Sequence, residues 1–125
     1  MAYKFEKLKV WQISRQFVKL IYTITKEYPD NEKFGLTSQT NRAVVSIMLN
    51  IAEGSERKSD IEFIRFLRIA YTSMLEVISA CYIALDQNYI SQERFDYVYD
   101  SSHILGKKIN ALIKSINNTP AVTNK

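Results

Sequence analysis

Cysteine is nearly absent from this sequence: Cys81 stands alone, which excludes an internal disulfide and fits a reducing compartment. Histidine is as scarce. His103 by itself cannot build a carboxylate-bridged di-iron centre, which takes a Glu-x-x-His motif from each of two helices. Three glycines leave no glycine-rich phosphate loop, and neither a Walker pattern nor Gly-x-Ser-x-Gly occurs. With only two prolines beside them, they are also too few for the many turns of a β-rich fold. The N-terminal MAYKFEKLKV carries charges without a continuous apolar core, so it does not read as a signal peptide. No run reads as a membrane span, because Arg42 and Glu53 bracket the greasiest stretch and Asn50 interrupts it. These absences lead us to expect a soluble, cytoplasmic, non-enzymatic protein without metal or cofactor.

What is present favours helix. Leu, Ile, Lys, Glu, Gln and Ala are plentiful, and 125 residues suit one domain that buries roughly two-thirds of its unfolded surface. The first helix is expected over about Lys7–Tyr28, where Val10, Ile13, Phe17, Leu20 or Ile21, Ile24 and Tyr28 keep a three-four spacing and Pro29 ends it. Trp11 lies off that seam, so it covers a helix edge or faces a partner. The segment PDNEKFG reads as a loop.

A second helix occupies SQTNRAVVSIMLNIAEG, with Gly54 as its C-terminal stop. A third runs from Ser59, a cap with Glu62 positioned to complete a capping box, to about Leu85. Ser91 caps the fourth, in which Phe95, Val98, Ser102, Leu105, Ile109, Leu112 and Ile116 alternate in three-four steps over three heptads. The pattern predicts an all-α, antiparallel up-down four-helix bundle over residues 1–117 and a disordered tail over residues 118–125.

A row of polar residues crosses the apolar second helix: Gln39, Arg42, Ser46, Asn50 and Glu53 fall within an arc of roughly 80°. Glu62, Arg65, Ile69, Ser73 and Glu76 repeat the same steps on the third. Such a stripe is a lock between two helices, a site facing another subunit, or a reactive site. In an antiparallel hairpin, opposed residue numbers add to a constant. Arg42 with Glu76 and Glu53 with Arg65 share one total, and Ser46 with Ser73 and Asn50 with Ile69 differ from it by one. A hairpin centred on the loop is offset from that register by about 4.5 Å, which long side chains can span. The favoured reading is a structural polar core of Gln39, Arg42, Ser46, Asn50, Glu53, Arg65, Ser73 and Glu76, with ion pairs at both ends. Losing one partner of a buried pair would cost about 3–5 kcal/mol.

Two further features read as ordinary. Asp96, Asp100 and His103 share a face of helix four that is better explained as solvated than as a metal site. Cys81 sits on the apolar seam as a small hydrophobe.

The net charge of +4 permits nucleic-acid binding without demanding it. Lys4, Lys7, Lys9 and Arg15 crowd the start of the chain, Arg68 lies on helix three beside Arg65, and Lys107, Lys108 and Lys114 cluster on helix four. These eight cations are candidate phosphate contacts, and equally a solvated surface.

The segments FEKLKVW, EKFGLTSQTNRAVVSI, NIAEGSERKS and EFIRFLRIAYTSMLEV, with Tyr22, Pro29 and Tyr89 at their distances, resemble the four-helix-bundle family encoded within intervening sequences of bacterial 23S rRNA genes. The resemblance covers roughly Phe5 to Ile116. Met48 and Thr72 depart from it, standing where members often carry Pro and Gly. The resemblance implies a barrel-like homopentamer and a signature polar core of Gln39, Arg42, Asn50, Glu53 and Glu76. It extends to the accessory variability determinant of diversity-generating retroelements, a positively charged pentamer that binds nucleic acid and a reverse transcriptase. The expectation is therefore a self-assembling RNA-binding protein. The alternative is a protein-interaction scaffold, for example a reverse-transcriptase accessory subunit, that touches no nucleic acid.

Overall fold

A serine hydroxyl starts each of the two longest helices. Ser59 Oγ accepts from the Glu62 amide at 3.1 Å, and Ser91 Oγ accepts from the Arg94 amide at 3.1 Å. In the computed structural model, which describes residues 1–118, the elements are α1 (Lys9–Thr25), α2 (Leu36–Ser55), α3 (Asp60–Asp86) and α4 (Gln92–Asn117). Short 3-10 turns occupy Lys4–Lys7 and Asp30–Glu32, and no strand occurs among the described residues. Of the expected tail only Asn118 is described; the rest lies outside the described residues.

The apolar seams read from the sequence meet in one core. Phe17, Ile21 and Ile24 of α1, Val44, Ile47 and Ile51 of α2, Leu67, Val77 and Cys81 of α3, and Val98, Leu105 and Ile109 of α4 are all buried there. Four buried hydroxyls are satisfied within their own helices. Ser14 donates to the Trp11 carbonyl, Thr40 to Leu36, Ser55 to Ala52 and Ser102 to Tyr99, at 2.7–2.8 Å. Thr25 Oγ1 ties α1 to α2 through Asn41 Oδ1 at 2.9 Å.

Three expectations change. Helix one is shorter than Lys7–Tyr28, because its first turn is 3-10 and Leu8 is extended between the two segments. Gly54 lies inside the last turn of α2 and not beyond it, and no glycine has a positive φ. A Cβ there would stand 2.6 Å from Phe66 Cβ and 3.1 Å from Phe63 Cδ1, so the glycine serves close approach of α3. The left-handed cap is Asn88 instead, with φ 63°, after α3. Tyr89 N–H reaches the Ala84 carbonyl at 2.8 Å and Asn88 N–H the Leu85 carbonyl at 3.0 Å, the two bonds of a Schellman motif.

The third change concerns α3. By length and composition alone this helix could cross a membrane, its most apolar 18 residues averaging a hydropathy of 1.3. The expectation that no run is long and apolar enough rests on α2 and does not hold for α3. Only 39% of that stretch is buried in the fold, so α3 carries apolar side chains both into the core and outward.

The candidate nucleic-acid interface

α2 and α3 pack more extensively than any other pair, and the polar stripe runs along the outside of their seam. At its middle Ser46 Oγ and Ser73 Oγ lie 2.9 Å apart, and Asn50 Nδ2 donates to Ser46 Oγ at 3.0 Å and to the Ser46 carbonyl at 2.8 Å. Ser73 is buried, while Ser46 and Asn50 are half-buried. Gln39, Arg42, Glu53, Arg65 and Glu76 are exposed.

The expected charged lock is therefore not formed within the subunit. Arg42 and Glu76 line one open groove of about 530 Å³ with Gln39 and Phe34, but they make no ion pair. Glu53 pairs with Arg57 one turn on, and Arg65 with Glu62 at 3.0 Å. The physical reason is distance along the chain: partners three and four residues away on one helix meet without crossing the seam or leaving water. The Glu62–Arg65 pair holds the Glu62 carboxyl below its ordinary value, first through the hydrogen bond and then through charge. It also explains why the capping box is half-made: Ser59 accepts its amide, and the Glu62 side chain is turned to Arg65. Arg57 and Arg65 both lie 4.9 Å from the centre of the Phe66 ring. The GSERKS turn is thus a packed structural corner, built on the contact that Gly54 permits.

The eight candidate phosphate-binding cations are all exposed, and none belongs to an ion pair among the described residues. The structure brings some of them together. Lys9 and Lys108 line one crevice of about 230 Å³ with Leu8, Val10, Ala111 and Leu112. Lys4 and Lys7 precede Lys9 in the adjoining turn, and Lys107 and Lys114 lie within two turns of Lys108. Arg15 is separate, its guanidinium 5.8 Å from the Trp11 ring, which also packs on Phe5 at 4.9 Å. Trp11 accordingly covers a helix edge. Arg68 lies on α3, away from the lysine crevice.

No reactive group accompanies these cations. His103 is exposed, and no group of three His, Cys, Asp or Glu residues converges among the described residues. Burial pushes the Cys81 thiol up to about 11, and the buried Tyr28 hydroxyl beside it is raised too, mainly by desolvation. Tyr28 Oη has no hydrogen bond that meets ordinary geometry.

Residues 6–111 match the pattern that defines the 23S rRNA-intervening sequence protein family. The chain belongs to that family. A crystal structure from Bacteroides thetaiotaomicron, described as a protein with unknown function from the S23 ribosomal protein family, is similar. The TM-score is 0.78 at 26% identity, over 84% of this chain and 98% of that one. No curated protein matches. The two likenesses agree on the fold of the intervening-sequence family. The segment NIAEGSERKS, inside the matched range, falls on the tight α2–α3 corner and the Asn50 network.

One polar site escaped the sequence reading. Glu32, in the segment taken as a loop, accepts the Leu36 amide at 3.0 Å through Oε1 and the Tyr89 hydroxyl at 2.8 Å through Oε2. These bonds, the amide first, hold its carboxyl below the usual range. Gly35 gives it room, since a Cβ there would stand 2.9 Å from Glu32 Oε1.

Proposed function

We propose that this intervening-sequence protein is a soluble, cytoplasmic, non-enzymatic oligomer that binds RNA through the basic surface centred on Lys9 and Lys108. The observation that carries the reading is that crevice: two lysines from different helices, four more close by in the chain, and no acidic partner for any of them. Unpaired cations from two helices meeting at one crevice offer a phosphate backbone what it requires, whatever its base sequence.

In this reading the helices run up and down, antiparallel. The support is that Leu8 shares a crevice with Leu112, Leu20 with Tyr97, and Ile24 with Arg94, so numbers rise on α1 as they fall on α4. Self-assembly rests on the outward face of α3. Ile61 is 80% exposed, Leu75 and Ile83 are each 50% exposed, and Leu49 of α2 is 60% exposed. Apolar side chains aligned on one surface are what a subunit contact covers. The number of copies, five, is taken from the family resemblance.

The test is fluorescence anisotropy with a labelled structured RNA at low and near-physiological salt. Six phosphate contacts would weaken binding by about 10³ between 50 and 200 mM salt. Lys9→Glu with Lys108→Glu should lower affinity and flatten that slope. A salt-independent affinity, or none at low salt, would reject the reading. Native mass spectrometry of Leu75→Asp with Ile83→Asp tests assembly, with dissociation to monomer as the expected result.

A further inference from the structure

The seam between α1 and α4 is the most sparsely packed of the four, and it leaves a groove. Its middle is a crevice of about 420 Å³ between Ile13 and Leu20 of α1 and Tyr97 and Ile104 of α4. A second crevice, about 330 Å³, continues from Leu20 and Tyr97 to Ile24, Glu93 and Arg94. In the other direction, one turn beyond Ile13 and Ile104, lies the crevice that holds Lys9 and Lys108. From Val10 to Ile24 the groove extends about 21 Å, four turns of helix. Its walls set apolar side chains beside Gln16, Lys19, Thr23 and Ser101, and Tyr97 is 64% and Ile104 55% exposed.

Charge along the groove is uneven. Lys9 and Lys108 flank one end, Lys19 stands on the wall midway, and none has an acidic partner. At the other end Arg94 is already bound to Glu27 at 2.7 Å, which leaves Glu93 as the unpaired charge. An occupant must therefore offer an apolar stripe about four turns long and negative charge at one end. An amphipathic helix does both, because its backbone polar groups are satisfied internally while its side chains at i, i+3, i+4 and i+7 enter the groove. Its C-terminal end, where the helix dipole is negative, belongs at Lys9 and Lys108. A phosphate backbone would leave Ile13, Leu20 and Ile104 against water or charge, whereas an amphipathic helix covers them and still leaves Gln16, Lys19, Thr23 and Ser101 to its polar edge.

We propose that the α1–α4 groove docks an acidic amphipathic helix of another protein, its carboxylates meeting Lys9 and Lys108. This goes beyond the RNA reading and does not depend on it, although both use Lys9 and Lys108, so RNA and peptide compete at that end of the groove.

The probe is a fluorescein-labelled synthetic peptide of 16 residues with a Leu stripe and Glu at its polar positions in the last two turns. A twin carries Lys at those positions. Anisotropy with the full-length protein should show saturable binding of the Glu peptide and at least tenfold weaker binding of the Lys twin. Tyr97→Ser with Ile104→Ser should abolish peptide binding and leave RNA affinity and particle mass unchanged; both side chains are largely outside the core, and circular dichroism checks the fold. Equal binding of the twins, or no binding, would overturn the proposal. So would loss of RNA affinity in the Ser variant, which would assign the groove to RNA, or a change in its particle mass, which would assign it to a second copy.

Discussion

Ser46 and Ser73 share a hydrogen bond of 2.9 Å across the α2–α3 seam, joining the polar stripes of the two helices. Each hydroxyl sits on a different helix, so the bond fixes their register. The expected coupling in a double-mutant cycle of Ser46→Ala and Ser73→Ala is about 0.5–1.5 kcal/mol by urea denaturation. Additive losses would show that the bond contributes nothing specific.

Arg42→Met should change monomer stability by less than about 1 kcal/mol, since the guanidinium is exposed and unpaired within the subunit. The double change with Glu76→Leu should then show no rescue. A loss of several kcal/mol that the second substitution restores would mean that the pair forms after all.

Gly54→Ala sets two effects against each other. Helix propensity favours alanine by up to about 1 kcal/mol. The new methyl, however, meets Phe66 Cβ at 2.6 Å, an atom fixed to the backbone of α3. Overpacking of that kind costs about 1–3 kcal/mol, so a net loss of stability is expected in thermal or chemical melts. An unchanged or raised melting temperature would refute the close-approach account.

Cys81 should be inert in the native protein. With its thiol raised to about 11, the thiolate at pH 8 is about one part in a thousand, and it is buried as well. Modification by a disulfide reagent should wait for unfolding, and a stoichiometric burst in native buffer would contradict this.

Acid should weaken the corner held by Glu32. Its folded pKa lies below the ordinary 4.5, so its contribution is complete above that value and is lost as pH falls through the lower one. Glu32→Gln should lower the melting temperature at neutral pH and reduce the acid dependence of stability between pH 5 and 3. Identical acid profiles for the two proteins would exclude the linkage.

Local signals were legible in the sequence. Ser59 and Ser91 cap because their partners lie three residues away, and the helix-four seam was visible because Phe95, Val98, Ser102, Leu105 and Ile109 keep one period. The register of Ser46 with Ser73 followed from spacing, since two stripes with the same steps can align in few ways. The ion pairs did not, because Arg57 and Glu62 offered nearer partners than the opposite helix. Gly54 shows another limit: sequence marks a glycine, but only packing tells whether it supplies a left-handed turn or an absent methyl. The lysine cluster was half legible. Its members were visible as charges, but the meeting of Lys9 with Lys108 depends on how α1 lies against α4.

The carboxylate of Glu32 spans 57 positions of chain to reach Tyr89 while also holding the first amide of α2. Two connections remote in sequence are thereby joined through one side chain. Drawing the approach to α2 away from the exit of α3 breaks the Tyr89 bond, so the two connections are tied at this carboxylate. Local opening at one connection is therefore expected to raise amide exchange at Leu36 and protease access near Asn88 together.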